Sequence, residues 1–248
     1  LLGFILKEMK KIKILFFCVA LVAMFDGYSQ VLSGKVTYKI QLADNGVDIK
    51  NSPDREFIEA TREIANKQTA TLKFNRTQSS FILDQYLIAD AEDSGLRKFA
   101  RSMAFIQTVL NDYFFDKTTN TAVQRKENGQ LLEIENKKLE WEITVESKKI
   151  DNYLCYKAIY LNKFINRRGK GVSIPITAWF APSLPYSYGP KYFNGLPGLI
   201  LELQDRETTF LASSISISNI EELKIDFPKG RTIPKEEYEK KMEAQGNR

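Results

Sequence analysis

Cys155, Glu202 and Asp205 are the residues on which a reaction could be built, because the sequence contains no histidine. That absence removes Ser–His and Cys–His nucleophile pairs, His-based zinc sites and His proton shuttles together. Carboxylates, Tyr, Lys and one downstream thiol remain. Cys155 shares a strand face with Tyr153 and Lys157, so Lys157 is the neighbour able to stabilise a thiolate. Without such help a free Cys is a small buried hydrophobe. Glu202 and Asp205 would act as acid and base only with one carboxyl in an apolar pocket and the other held at a defined separation. Charges at strand edges are more often solvated. No second soft ligand stands at a useful spacing from Cys155, so the spacing predicts no metal site. The acidic run 90–95 invites a calcium-loop reading, but Arg101 stands where a closing Glu is needed. The basic turn 166–171 lacks the Gly spacing and Lys-Ser/Thr ending of a phosphate loop. No catalytic constellation and no cofactor are expected.

The densest grouping of informative residues is Tyr188-Gly189-Pro190-Lys191-Tyr192-Phe193-Asn194-Gly195-Leu196-Pro197-Gly198-Leu199-Ile200. Gly-Pro and Pro-Gly are turn dipeptides, and Pro197-Gly198 suits a type II turn with positive φ at Gly198. Leu196, before a proline, is pushed towards an extended conformation. Beyond the corner, Leu199, Leu201 and Leu203 alternate with Ile200, Glu202 and Gln204, which predicts a strand. Trp179, Tyr186, Tyr188, Tyr192 and Phe193 gather around this corner. They would form core packing or, if exposed, a binding surface with large contact area at low entropic cost. Trp179, Tyr188, Tyr192 and Phe193 are the candidate binding residues. Gly189, Pro190, Gly195, Leu196, Pro197, Gly198, Leu199 and Ile200 are the candidate shaping residues.

The elements that must position this corner are mostly strands. Val36, Tyr38 and Ile40 alternate with Lys35, Thr37 and Lys39 in a first strand over 31–42. Asn45-Gly46 marks a turn. Ser52 as N-cap and Pro53 in the first turn open a helix to about residue 67. Strands over 69–75 and 79–88 follow. Leu96, Phe99, Met103, Ile106 and Leu110 recur at helical spacing and predict a helix whose apolar stripe covers one side of a sheet, or a lid over a cavity. Asn128-Gly129 marks a hairpin between 122–126 and 131–135. Further strands are expected over 139–146, 153–161, 174–180, 199–204, 208–218 and 222–227, then a charged helix over 234–244. The expected fold is mainly β (all-β or α+β): a single antiparallel meander sheet curled into an open half-barrel, with one or two helices against one face.

Composition sets the frame. The 248 residues are 43% hydrophobic and 12% aromatic, enough for a sizeable core in one domain. The net charge of +5 is spread over interleaved Lys, Arg, Asp and Glu, with no basic stripe for nucleic acid. Met9, Lys10, Lys11 and Lys13 precede an apolar run over 14–25, and Gly27 and Ser29 suit a cleavage site before Gln30. Residues 9–29 therefore read as a secretory signal, 1–8 as upstream read-through and 30–248 as one β-domain with no membrane span after cleavage. The run is short for a membrane anchor. Phe17 before Cys18 does not fit a lipidation site. With Cys18 removed, Cys155 would be alone, so no internal disulfide is expected.

The residues 151–158, Thr177-Ala178-Trp179-Phe180-Ala181-Pro182, Gly189-Pro190 and Phe193-Asn194-Gly195-Leu196-Pro197-Gly198-Leu199-Ile200 together resemble the GLPGLI family, with the main match over about 149–205. That resemblance implies an exported protein of Bacteroidota-type Gram-negative bacteria, periplasmic or at the cell surface. The family has no agreed catalytic residues to carry over. The order of elements is similar to the half-closed antiparallel barrels of periplasmic lipoprotein carriers. The reading is a non-enzymatic binder of a hydrophobic small molecule or lipid, or of an outer-membrane or other envelope protein. An enzyme using carboxylates or Cys155, or a purely structural envelope component, are the alternatives.

Overall fold

The computed structural model describes residues 33–43, 53–84, 95–166 and 168–246. The chain divides into Leu1–Val31 and Leu32–Arg248, and every described residue belongs to the second unit. The signal segment 9–29, the turn at Asn45-Gly46, Ser52 and the acidic residues 90–94 lie outside the described residues.

Twelve strands form one sheet: β1 Ser33–Leu42, β2 Thr69–Asn75, β3 Gln78–Leu83, β4 Asp112–Asp116, β5 Thr121–Arg125, β6 Leu131–Ile134, β7 Glu142–Ile150, β8 Tyr153–Ile165, β9 Gly171–Ala181, β10 Leu199–Asp205, β11 Thr208–Ser218 and β12 Thr232–Pro234. The spatial order is β12-β6-β5-β4-β3-β2-β1-β11-β10-β9-β8-β7. This corrects the single antiparallel meander. Two meanders, β1 to β6 and β7 to β11, are joined where β1 pairs with β11, Ser33 opposite Ser218. The sheet is mixed, because β12 runs parallel to β6. It does not close: β7 and β12 are its edges.

One connection constrains this sheet strongly. β6 and β7 are ten strand positions apart, yet residues 135–141 alone join them. In a flat sheet the gap would be about 48 Å, while that connection reaches about 28 Å fully extended. The sheet therefore bends. The side chains agree: Trp141, just before β7, packs against Tyr160 of β8, and its Nε1 donates to Asn194 O at 2.8 Å. Asn194 in turn donates to Asn136, just after β6, at 3.2 Å.

The inner face of the bend holds the core. Val36, Tyr38 and Ile40 of β1, Leu72 and Phe74 of β2, Phe81 of β3, Phe180 of β9 and Phe210 of β11 are all buried there. Tyr38 and Phe210 both meet Phe81 edge-on. Gly34 leaves room for the Phe74 ring, since a Cβ there would stand 2.5 Å from its Cζ. On the opposite face of β3–β6, Phe114, Val123 and Leu131 are covered by Phe227. Phe227 belongs to the stretch expected as a strand over 222–227, which is irregular instead. Its backbone is captured by side chains at strand ends, with Ser33 and Asn75 donating to the carbonyls of Glu221 and Leu223.

Two helices, α1 Arg55–Asn66 and α2 Gly95–Gln107, pack on each other. A third, α3 Lys235–Gly246, follows β12. The cap of α1 is Asp54, and its side chain makes no capping bond. The helix pair meets the sheet at strand ends rather than lying across a face. Asn66 accepts from Leu42 N at 2.7 Å, Thr108 donates to Gln68, and Thr208 donates to Gln107 O. The expected stripe of α2 is corrected as well. Its buried residues are Ala100 and Ala104, while Phe99 is 60% and Ile106 55% exposed. Small side chains let the two backbones approach, and Phe99 stacks on Phe57 at 5.0 Å at the seam. The hairpin read from Asn128-Gly129 is present, with Gly129 at φ +80. The strand expected at 139–146 begins later and runs to Ile150.

The corner depends on close approach. Gly198 is not among the residues with positive φ; Gly195 is, at +89. This corrects the type II turn. A Cβ on Gly198 would stand 2.3 Å from Ala181 O, and one on Gly189 2.6 Å from Ile200 Cδ1. Gly198→Val is therefore expected to abolish cooperative thermal unfolding, because backbone stands in the way. Gly195→Ala, which meets no atom, is expected to cost only about 1 kcal/mol of backbone strain. Equal melting temperatures for the two variants would contradict the packing account.

Candidate functional site

The segment 182–198 leaves β9 and folds back along the start of β10 under its own hydrogen bonds. Leu199 N donates to Leu184 O at 2.9 Å, Ile200 N to Tyr188 O at 3.0 Å and Gly195 N to Ser187 O at 3.2 Å. Tyr38 Oη, from the sheet, donates to Ile200 O at 2.6 Å in a buried position. Burial raises the Tyr38 phenol far above its ordinary value, which keeps it a donor. Leu199 and Ile200 are both fully buried. A bulge at Leu201 breaks the alternation expected for this strand.

The folded-back segment lies against the inner face of the other end of the sheet. Tyr188 packs on Phe74 and Phe115, Tyr192 on Tyr113, and Phe193 on Trp141. Pro190 and Leu196 are buried, whereas Pro197 is exposed. Between segment and sheet runs a groove of about 260 Å³. Strand register sets its floor. Ser79, Phe115, Ala122 and Ile134 face one another across β3 to β6, and Phe81, Tyr113, Gln124 and Leu132 form the next row. Tyr188, Tyr192, Phe193 and Asn194 make the opposite wall, Tyr160 closes one side, and Glu135, Lys137, Lys235 and Glu236 stand at the mouth.

Three of the four candidate aromatics thus come together at this groove. Tyr188 and Phe193 are buried and Tyr192 is 39% exposed. Burial, with the Asp205 carboxylate second, pushes the Tyr192 phenol up to about 12. Trp179 does not join them. Ala178 and Phe180 point into the core, so Trp179 points to the other face of β9. There Lys148 Nζ lies 4.3 Å from its ring centroid and also pairs with Glu202 at 2.6 Å.

Glu202 and Asp205 are separated in the same way. Glu202 belongs to the Lys148 pair, while Asp205 is held by Lys191 at 2.9 Å, with both side chains largely buried. Lys191 Nζ also lies over the Phe210 ring at 5.1 Å. The two carboxylates do not share a site. Cys155 is buried, and its sulfur lies 3.7 Å from Tyr153 O. Burial pushes its thiol up to about 11, against smaller lowerings by a hydrogen bond with the Ile150 backbone and by Lys148. Lys157, the neighbour named from sequence, is bonded instead to Glu146 at 2.9 Å. No group of His, Cys, Asp or Glu among the described residues is arranged to hold a metal ion.

Tyr113, Phe115, Gln124, Asn136 and Tyr160 were not singled out from sequence. Gln124 left a faint trace, as a polar residue in phase with the inward positions of its strand. The others depend on which strands become neighbours.

The basic turn is a side-chain-stapled hairpin end. Asn166 Oδ1 accepts from Arg168 N and Lys170 N, both at 3.0 Å.

A family model described as a protein of unknown function (Porph_ging) matches residues 165–202. That stretch contains β9, the folded-back segment and the first residues of β10. No curated protein matches the chain. A crystal structure of PNGF-II is similar in fold, with a TM-score of 0.53 and 14% identity over 84% of this chain. The chain spans about a third of that one, 32%.

The state of Cys155 is directly checkable. At pH 8 a thiol with a pKa near 11 is roughly 0.1% thiolate, against about a quarter for an unperturbed thiol. Iodoacetamide is expected to label the folded protein at least about 100-fold more slowly than the urea-unfolded protein. Equal rates in the two states would make Cys155 a reactive thiol.

Proposed function

We propose that this chain is an exported, non-enzymatic binding protein whose sheet forms an open half-barrel around a small-molecule groove. The observation that carries this reading is the groove between the folded-back segment and β3–β6. It is concave, aromatic-walled and floored by a few polar groups, the combination typical of ligand pockets. The bend imposed by residues 135–141 supports the half-barrel description. Against catalysis stand the separation of Glu202 from Asp205, each in its own ion pair, and the raised thiol of Cys155. The export reading rests on residues 9–29 alone and places the protein in the periplasm or at the cell surface. No helix among the described residues is long and apolar enough to cross a membrane.

The proposed occupant is an amphipathic small molecule rather than a long acyl chain. The groove's aromatic walls give apolar area, but Ser79 and Gln124 in the lining would leave a purely aliphatic ligand beside unpaired polar groups. Association with an envelope protein is the second reading, favoured by the β7 edge. Val145 there is 98% exposed, and the pairing with β8 is interrupted between Ile143 and Ser147.

Native mass spectrometry of the protein purified from its own cell envelope tests the two. A stoichiometric small molecule, lost in Tyr192→Ala and Phe193→Ala, is the expected result. A mass equal to the bare chain, together with a protein cross-linked through β7, would replace the small-molecule reading by the partner one.

A further inference from the structure

We propose that the groove takes a ring-bearing molecule whose buried end carries a carboxamide-type edge, an N–H donor beside a carbonyl acceptor, paired with the side-chain amide of Gln124. This inference rests on the groove being a ligand site. Gln124 lines the groove and is 5% exposed. It stands on an inward position of β5, in a row with Phe81, Tyr113 and Leu132. Those three are buried and hydrophobic, and an amide among them is costly unless it is hydrogen-bonded. Among the described residues no group bonds to this amide. Its atoms are not sealed from solvent, as the hydroxyl of Tyr188 is, and the space they open on is the groove. Buried polar groups are nearly always paired, so an open, unpaired amide in a cavity floor points to a partner from outside the chain.

Other polar side chains of the lining are already engaged within the protein. Asn136 donates to Asn120 at 2.6 Å and accepts from Asn194 at 3.2 Å. Lys191 is held by Asp205 at 2.9 Å and Lys137 by Glu135 at 2.9 Å. Gln124 is left with both halves of its amide to offer. A primary amide carries an N–H next to its C=O, so a group with the same two in reverse order closes two parallel hydrogen bonds with it. A carboxamide, a lactam or a cyclic imide has that edge. A ketone or an ester has half of it, and a hydrocarbon none. A ligand that displaces water from Gln124 without replacing its hydrogen bonds loses affinity. Phe115, Tyr192 and Phe193 supply apolar contact for the rest of the molecule. A volume of about 260 Å³ lies just below the ~300–1,000 Å³ usual for drug-sized ligands. A single substituted ring fits that scale.

The test titrates the full chain, by NMR, with three rings of the same outline: benzamide, acetophenone and α-methylstyrene. Acetophenone replaces the NH₂ of benzamide by a methyl, and α-methylstyrene replaces the oxygen by a methylene as well. Benzamide is expected to bind at least about tenfold tighter than α-methylstyrene, the scale of one or two net hydrogen bonds, with acetophenone between them. Gln124→Met, close in length and without the amide, is expected to erase that order and leave α-methylstyrene binding no weaker. Equal binding of benzamide and α-methylstyrene by the native chain would overturn the inference while leaving the groove a ligand site. So would a benzamide preference that survives Gln124→Met. Binding of none of the three would remove the groove reading itself, and this inference with it. A second readout needs no variant. The side-chain NH₂ resonances of Gln124 in the native chain are expected to shift downfield with benzamide and far less with α-methylstyrene. Benzamide binding that leaves those resonances in place would overturn the proposal, even if Gln124→Met does not fold.

Discussion

The contact of Gly198 with the backbone of Ala181 is the constraint on which the rest of the structure depends. It brings the start of β10 against the end of β9, so the residues between must double back into the bend of the sheet. No side chain beyond hydrogen fits there. Once the segment is pinned, Tyr186, Tyr188 and Phe193 have only the inner face of the sheet to pack on. The hydrogen bond from Tyr38 to Ile200 O then fastens the segment to β1, at the seam between the two meanders. One close backbone approach thereby organises both the core and the wall of the groove.

A bent open sheet has to fill its concave side. A closed barrel of this strand number would leave a lumen; here the chain supplies its own filling from 182–198. The filling is incomplete between Tyr188–Asn194 and β3–β6, and that gap is the groove. Its polar lining follows from the same geometry. Ser79 and Gln124 are on inward positions of strands that the segment does not fully cover. The ion pair of Lys191 and Asp205 marks the far limit of the filling, where a second, more polar hollow begins beside α1 and shares Lys191 and Tyr192 with the first.

Local pattern made much of the fold legible. Period-two alternation located β1 and β10, and Asn128-Gly129 located the β5–β6 hairpin, because these signals are carried by neighbouring residues. The misread parts are those decided at a distance. Phe99 and Ile106 satisfy helical periodicity, yet α2 buries Ala100 and Ala104 because its partner is another helix offering Ala60 and Ala65. Phe227 is apolar because it covers Phe114, not because it lies in a strand. For the site, the aromatic density at 188–193 was visible, but the facing wall was not. Tyr113, Gln124 and Tyr160 reach it only through strand order, which a one-dimensional pattern does not specify. Trp179 shows the converse, since nearness in sequence placed it with the corner while the strand turned it to the other face.

The pairing of β1 with β11 has a consequence for how the protein comes into being. Ser33 and Ser218 are opposite each other, so β1 completes its pairing only when β11, far along the chain, arrives. Meanwhile β2 can satisfy one edge of β1, and β2–β3 and β4 to β6 can zip up as local hairpins, because those loops are short enough to close quickly. The other edge of β1 stays open, with Val36, Tyr38 and Ile40 lacking their counterparts. Until β11 arrives, these strands are a half-sheet with an unfinished seam, the kind of exposed edge that chaperones protect. The β1–β11 seam is the longest-range pairing among the described strands, the kind of contact that slows folding.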